Sequence, residues 1–156
     1  MEWNNVNELR DQIRKTSLDI HPYHRSGHLE KIYENALAHR LKAAGLDVKQ
    51  QYPLVVRDED GTKLGEYFAD LLIEGRLIVE LKACRSVADE HVAQLLGYLR
   101  SSGMEHGLLI NFGAPKLFIK KYIFTRNPNL KGLGSKALLI GLCVSCASLW
   151  PSIRSL

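Results

Sequence analysis

Asp70, Glu80 and Lys82 are the residues of this chain whose types and spacing can do chemistry. They interrupt FADLLIEGRLIVELKA (68–83), which is otherwise almost wholly apolar around a Gly-Arg turn. Ionised side chains are costly to desolvate, so they are kept in such segments only when paired or when they hold a metal. If Asp70 opposes Glu80 in an antiparallel hairpin, Ile73 pairs with Leu77 and Glu74-Gly75-Arg76 remains as a three-residue loop. Glu80 and Lys82, two apart on one strand, then share a face with Asp70. A two-residue loop of Glu74 and Gly75 would set Asp70 against Val79 and send Glu80 to the other face.

Two carboxylates that close repel unless a proton or a divalent cation lies between them. Oxygen donors on a rigid hairpin, with water completing the shell, suit Mg²⁺ or Mn²⁺. Such an ion lowers the pKa of a bound water and clamps a phosphodiester oxygen. Lys82 can position that water or offset the negative charge of the transition state. The chemistry implied is metal-assisted phosphodiester hydrolysis. The same residues also read as a structural ion pair at the rim of a sheet, and the loose spacing Asp-x9-Glu-x-Lys does not by itself choose between the two.

The elements that must position this set follow from periodicity. Residues 5–17 form a short amphipathic helix with Val6, Leu9 and Ile13 inward, and HPYHRSG follows as a loop with Pro22 as its breaker. HLEKIYENALAHRLKAAG is a second helix, with Leu29, Ile32, Ala36, Leu37 and Leu41 at helical spacing. Ser26-Gly27 offers its start and Gly45 its C-terminal cap. VKQQYPLVVR, KLGEYFADLLIE and RLIVELKA then read as strands of an antiparallel meander. The continuous apolar runs 71–73 and 77–79 predict a central pair covered on both faces. DEHVAQLLGYLRSSG returns to helical period with Val92, Leu95, Leu96 and Leu99 inward, and GLLINFG is a buried strand that can lie parallel to a neighbour through that helix. The order α-β-β-β-α-β predicts an α/β fold with a mixed central sheet flanked by helices. KLFIKKYIFTR is one more strand or a short helix.

Length and charge bound the rest. A chain of 156 residues is most simply one domain around one core. Three cysteines and a polar, mixed-charge start (MEWNNVNELR) fit a reducing cytoplasm. Residues 1–124 carry 17 Lys and Arg against 17 Asp and Glu, so the whole net charge of +4 comes from Arg126, Lys131, Lys136 and Arg154. A neutral body does not bind nucleic acid by bulk counterion release, so any contact must come from local patches and metal. Residues 125–156 read as a linker and an apolar tail. Its run 137–149 is shorter than the roughly 20 residues of a membrane span and suits packing or homo-oligomerisation.

GHLEKIY (27–33) is a Gly-x-x-Glu-x-x-Tyr motif, and with ADLLIEGRLIVELKA, AQLLGYLR and GLLINFG in that order the chain, over about residues 5–124, resembles the GxxExxY proteins of the PD-(D/E)XK nuclease superfamily. The resemblance implies a restriction-endonuclease-like core and a Mg²⁺- or Mn²⁺-dependent nuclease acting on nucleic acid, with DNA expected. It makes Asp70 and Glu80 metal-binding acids and Lys82 the catalytic lysine, and brings the Leu81 main-chain carbonyl to the metal. Glu30 is implied as an additional acid. Gln94 and Tyr98 match a Gln-x-x-x-Tyr motif, Gln94 orienting Lys82 or a phosphate and Tyr98 stacking or hydrogen-bonding. His24-Arg25-Ser26 stands where the family usually has Leu-Gly-Pro before the glycine.

Other residues carry weaker signals. Glu34, one turn beyond Glu30, reads as an exposed helix glutamate beside Lys31. Cys143 and Cys146 have metal-ligand spacing without a second pair, and Cys84 reads as a small buried hydrophobe. His21, His24 and His28 read as solvated loop residues, and His91 as a surface histidine near a helix start. Lys116, Lys120, Lys121 and Arg126, interleaved with aromatics, are either a nucleic-acid-binding patch or the charges that protect an edge strand. The rival to an enzyme is a nuclease-like binding module that acts through its surface.

Overall fold

The computed structural model describes residues 5–125. The expectations for the apolar tail, Arg126 and the Cys143/Cys146 pair lie outside them. The elements run α1 (Val6–His24), α2 (Glu30–Ala43), β1 (Val48–Arg57), β2 (Lys63–Ile73), β3 (Leu77–Lys82), α3 (Asp89–Ser102), β4 (His106–Asn111) and β5 (Phe118–Ile123). The sheet has the order β1-β2-β3-β4-β5, with β3 and β4 parallel through α3 and the other neighbours antiparallel. β3 is therefore central, and KLFIKKYIFTR supplies the edge strand β5.

Two apolar clusters, one on each face of the sheet, set the layers. Leu9, Ile13 and Ile20 of α1 and Tyr33, Leu37 and Leu41 of α2 pack on Leu77, Val79, Leu81, Leu108 and Ile110. On the other face Leu95, Tyr98 and Leu99 of α3 cover Ile78, Leu109, Ala69 and Leu54. The closeness of α3 depends on Gly107, where an added Cβ would stand 2.9 Å from a Leu95 methyl.

α1 runs about two turns further than the sequence suggests, through Pro22. Proline removes one intrahelical bond, but Ile20 is fully buried and the His21 ring nitrogen lies 2.9 Å from the Ala114 carbonyl oxygen. Tertiary contact thus outweighs the local breaker, and His21 and His24 lie on a helix instead of in a loop. α2 begins at Glu30, later than Ser26-Gly27, and its buried face is Tyr33, Glu34, Leu37, Ala38 and Leu41, whereas Leu29 and Ile32 are exposed. It ends as expected. Gly45 adopts φ +86°, its N–H donates to Lys42 O and Leu46 N–H to Leu41 O, which satisfies the terminal carbonyls.

The hairpin register is the one with the three-residue loop. Ile73 pairs with Leu77, Leu72 with Ile78 and Leu71 with Val79, leaving Glu74-Gly75-Arg76 as the loop. Regular pairing ends there, one step short of Asp70 and Glu80.

Candidate active site

Where the ladder stops, Asp70 replaces main-chain pairing with its side chain. Its Oδ2 accepts the Leu81 N–H at 2.7 Å, so the carboxylate sits in the gap between parting strands. Glu80 and Lys82 follow on β3. By alternation with Ile78 they face the α3 side, near the C-terminal end of the central strand. Lys82 Nζ donates to Glu80 Oε1 at 2.6 Å and lies 3.9 Å from Glu30 Oε1, which comes from the first turn of α2. Glu30, Asp70, Glu80 and Lys82 are thus brought to one place from three elements.

Their electrostatics show mutual frustration. Glu80 is only 2 % exposed, and burial followed by the charge of Asp70 pushes its pKa up to about 8, against the pull of Lys82. Burial also raises Asp70, where the Leu81 hydrogen bond and Lys82 oppose it, and raises Glu30, where Lys82 opposes it. Burial of the Lys82 ammonium works to lower its pKa, but the hydrogen bond and charge of Glu80, then Glu30 and Asp70, hold it above the ordinary lysine value. Three acids with raised pKa values around one ammonium lack positive charge.

The donor set fits a hard divalent cation. Glu80 Oε2 is buried with no hydrogen-bond partner, an orphaned oxygen of the kind that a cation satisfies. Among the described residues no group of three or more His, Cys, Asp or Glu side chains is placed so as to hold a metal ion. The arrangement is an open pair of carboxylates that water and a substrate phosphate would complete, the manner in which Mg²⁺ is commonly held.

The supporting residues divide. Tyr98 of α3 is buried beside the acids, and burial followed by the charge of Glu80 raises its pKa. Gln94 donates to the Tyr98 hydroxyl rather than to Lys82. Lys116, Lys120 and Lys121 do not make one patch. Lys120 pairs with Leu109, the β4 partner of Glu80, and so shares the face of the acids, whereas Lys121 points the other way to Asn7 Oδ1 at 3.4 Å. Lys116 lines a separate cleft with Arg14, Leu18 and His21.

Several participants escaped the sequence reading. Glu34 is not an exposed glutamate: it is 2 % exposed, held by Lys31 at 2.6 Å and by the amides of Gln50 and Gln51 at 2.9 Å each. Tyr33 turns inward with it and stacks on Phe112. Asn111 pins the loop after Lys82, since its Oδ1 accepts Cys84 N–H and its Nδ2 donates to Cys84 O. An isolated asparagine in an apolar strand was the available signal. Tyr67, 47 % exposed on β2, has its ring 5.4 Å from that of Tyr98 and forms an aromatic ledge beside the acids. Cys84 is half-buried, with Sγ 3.1 Å from Ser86 O, and His91 Nδ1 accepts the Ala88 N–H at the start of α3.

A mixed five-stranded sheet between helices, with an acid on β2 and Glu-Leu-Lys on the adjoining central strand, defines a restriction-endonuclease-like α/β fold. The family model of the PD-(D/E)XK nuclease superfamily matches residues 7–122, and the chain belongs to that superfamily. Among solved structures, one described as the crystal structure of SSO0001 is similar at 21% identity and a TM-score of 0.48, over 58% of this chain and 48% of that chain. No curated protein matches. Among the described residues no helix is long and apolar enough to cross a membrane.

Proposed function

We propose that the chain is a Mg²⁺- or Mn²⁺-dependent nuclease of the GxxExxY group that hydrolyses phosphodiester bonds, with DNA as the expected substrate. The observation that carries this reading is the buried, unpartnered Glu80 Oε2 next to Asp70 at the point where β2 and β3 part. Asp70 and Glu80 would hold the ion, with the Leu81 carbonyl and Glu30 as further donors. A bound divalent ion supplies Lewis acidity and a water of lowered pKa. Lys82, charged and fixed against Glu80, offsets negative charge gathering on the phosphate. Tyr98 and Tyr67 offer a ring surface to the nucleotide, Gln94 orients the Tyr98 hydroxyl, and Lys120 supplies a phosphate contact on the same face.

Residues 1–124 form the nuclease-like domain in this reading. Residues 125–156 are a linker and apolar tail suited to self-association, and the protein works in the cytoplasm. A second reading, a non-catalytic binding module on the same fold, is favoured by the zero net charge of residues 1–124. Incubation with linear, circular and single-stranded DNA and with RNA, in Mg²⁺, Mn²⁺ or EDTA, separates the two. Cleavage that needs the metal and is lost in Asp70→Asn and Lys82→Ala supports the enzyme. The absence of both cleavage and any metal-induced rise in Tm leaves the binding module.

A further inference from the structure

We propose that Gln51 is the positioning residue that fixes the Asp70 carboxylate for its divalent ion, with buried Glu34 as its anchor. The inference rests on the nuclease reading of Asp70 but adds residues on β1 and α2 that the acid-lysine set does not contain.

The first observation is backbone conformation. Among the described residues three non-glycines have positive φ: Arg25 follows a helix, Glu74 lies in a hairpin loop, and Gln51, at φ +49°, lies inside a ten-residue strand. A β-strand gives an L-residue no reason to adopt the left-handed region, and such conformations gather where a side chain must be re-aimed. The pairs Gln50 with Leu71 and Tyr52 with Ala69 flank this position, so Gln51 stands opposite Asp70.

The second observation is the effect of that bend. Ala69 and Leu71 are two residues apart and should share a face, yet Ala69 packs in the α3 core and Leu71 in the α1/α2 core. Val48 and Leu54, of equal parity on β1, are divided in the same way. Both strands therefore change face at the Gln51/Asp70 step. Asp70 is consequently neither a core-facing nor a solvent-facing strand residue, and its carboxylate is free to enter the gap at Leu81.

The third observation is what the carboxamide does. Gln51 Nε2 lies 2.9 Å from Glu34 Oε2 and 3.3 Å from Asp70 Oδ1, so its two hydrogens serve two carboxylates that would otherwise face each other unbridged. Lys31 and Gln50 hold Glu34 from its other oxygen. Asp70 is then fixed at both oxygens, by Gln51 at Oδ1 and by Leu81 N–H at Oδ2, leaving its remaining lone pairs for a cation. Hydrogen-bonded partners that orient a ligating carboxylate commonly contribute 10–100-fold to metal affinity, which is the order expected here.

Because glycine accepts positive φ without strain, Gln51→Gly removes the amide but not the bend, and Gln51→Asn keeps an amide one methylene too short to bridge both acids. For each full-length variant the Tm is measured without metal and across a Mn²⁺ titration, beside cleavage of linear DNA. The expected result is the Mn²⁺ concentration for half-maximal stabilisation raised about 10-fold or more in both variants, beyond any fall in metal-free Tm that comes from leaving Glu34 without its Gln51 bond. An unchanged Mn²⁺ titration in Gln51→Gly overturns the proposal, and so does a metal-free Tm lowered in both variants in step with the loss of metal response, which would make Gln51 merely structural. If the parent protein is stabilised by Mn²⁺ but does not cleave, the nuclease reading fails and the role of Gln51 is still decided by the shift. If Mn²⁺ does not stabilise the parent protein, both fall.

Discussion

The two ends of the β2–β3 hairpin, built from the same strands, obey different rules. At the turn end, Leu71 to Ile73 and Leu77 to Val79 pair regularly, are all buried and carry no charge. At the open end, Asp70, Glu80 and Lys82 replace leucines and isoleucines, a side chain takes the main-chain bond of Leu81, and one buried oxygen lacks a partner. The turn end makes the sheet. The open end uses the rigidity so gained to hold groups that would not stay together in water, since three acids with raised pKa values converge there on one ammonium. A site of this kind is destabilising by itself and must be anchored to a segment that is strongly stabilising.

If the two ends differ in this way, substitutions at them should separate activity from stability. The largest effect belongs to the open end: Asp70→Asn keeps an acceptor for Leu81 N–H but removes a charge, so cleavage should fall at least about 100-fold while the metal-free Tm stays level or rises. A cleavage assay beside a thermal melt reads both, and a fall in Tm as large as that of a core variant would erase the contrast. Leu77→Ala should do the reverse. It empties a fully buried site and should cost about 2–5 kcal/mol in urea unfolding, with cleavage per folded molecule nearly unchanged.

A pH series tests the same difference without mutation. Glu80 holds its proton up to about pH 8 in the fold, against an ordinary value of 4.5, so the folded chain binds a proton that the unfolded chain releases across that interval. Metal-free stability should therefore fall as pH rises from about 4.5 to about 8. Each 1 kcal/mol lost should appear as a drop of roughly 2–6 °C in Tm. Mn²⁺ should flatten the slope and release protons on binding, seen as a dependence of the binding heat on the buffer. A metal-free Tm that rises steadily across this interval would contradict the frustrated site. The smallest effect is on the edge strand: Lys120→Ala should raise KM for DNA severalfold in low salt, whereas Lys121→Ala, on the opposite face, should leave it within about twofold. Equal effects would show that the face does not matter.

The legible part of the fold was whatever had strong local period. The existence of α2, the Gly45 cap, the strands and the place of the central hairpin could be read because apolar spacing and turn chemistry are local properties. Of the two registers open to the sequence, the structure takes the one with Ile73 opposite Leu77, in which Glu80 and Lys82 share a face and Asp70 reaches them from the step where β2 changes face. Errors arose where tertiary contact overrode local preference. α1 passes through Pro22 because Ile20 and His21 find partners, and α2 buries Tyr33 and Glu34 in place of Leu29 and Ile32.

By itself, then, the sequence determined which residues could do chemistry and on which strands they stood, because composition and period-2 alternation require nothing beyond neighbouring residues. Only the tertiary structure decided how the site is supported: Glu34 buried, Gln51 turned to positive φ between two acids, Asn111 pinning the loop after Lys82, and Lys120 and Lys121 divided between faces. Each of these depends on a partner distant in the chain, and a glutamate or glutamine has the same sequence signature whether it lies in solvent or is held by a buried hydrogen bond.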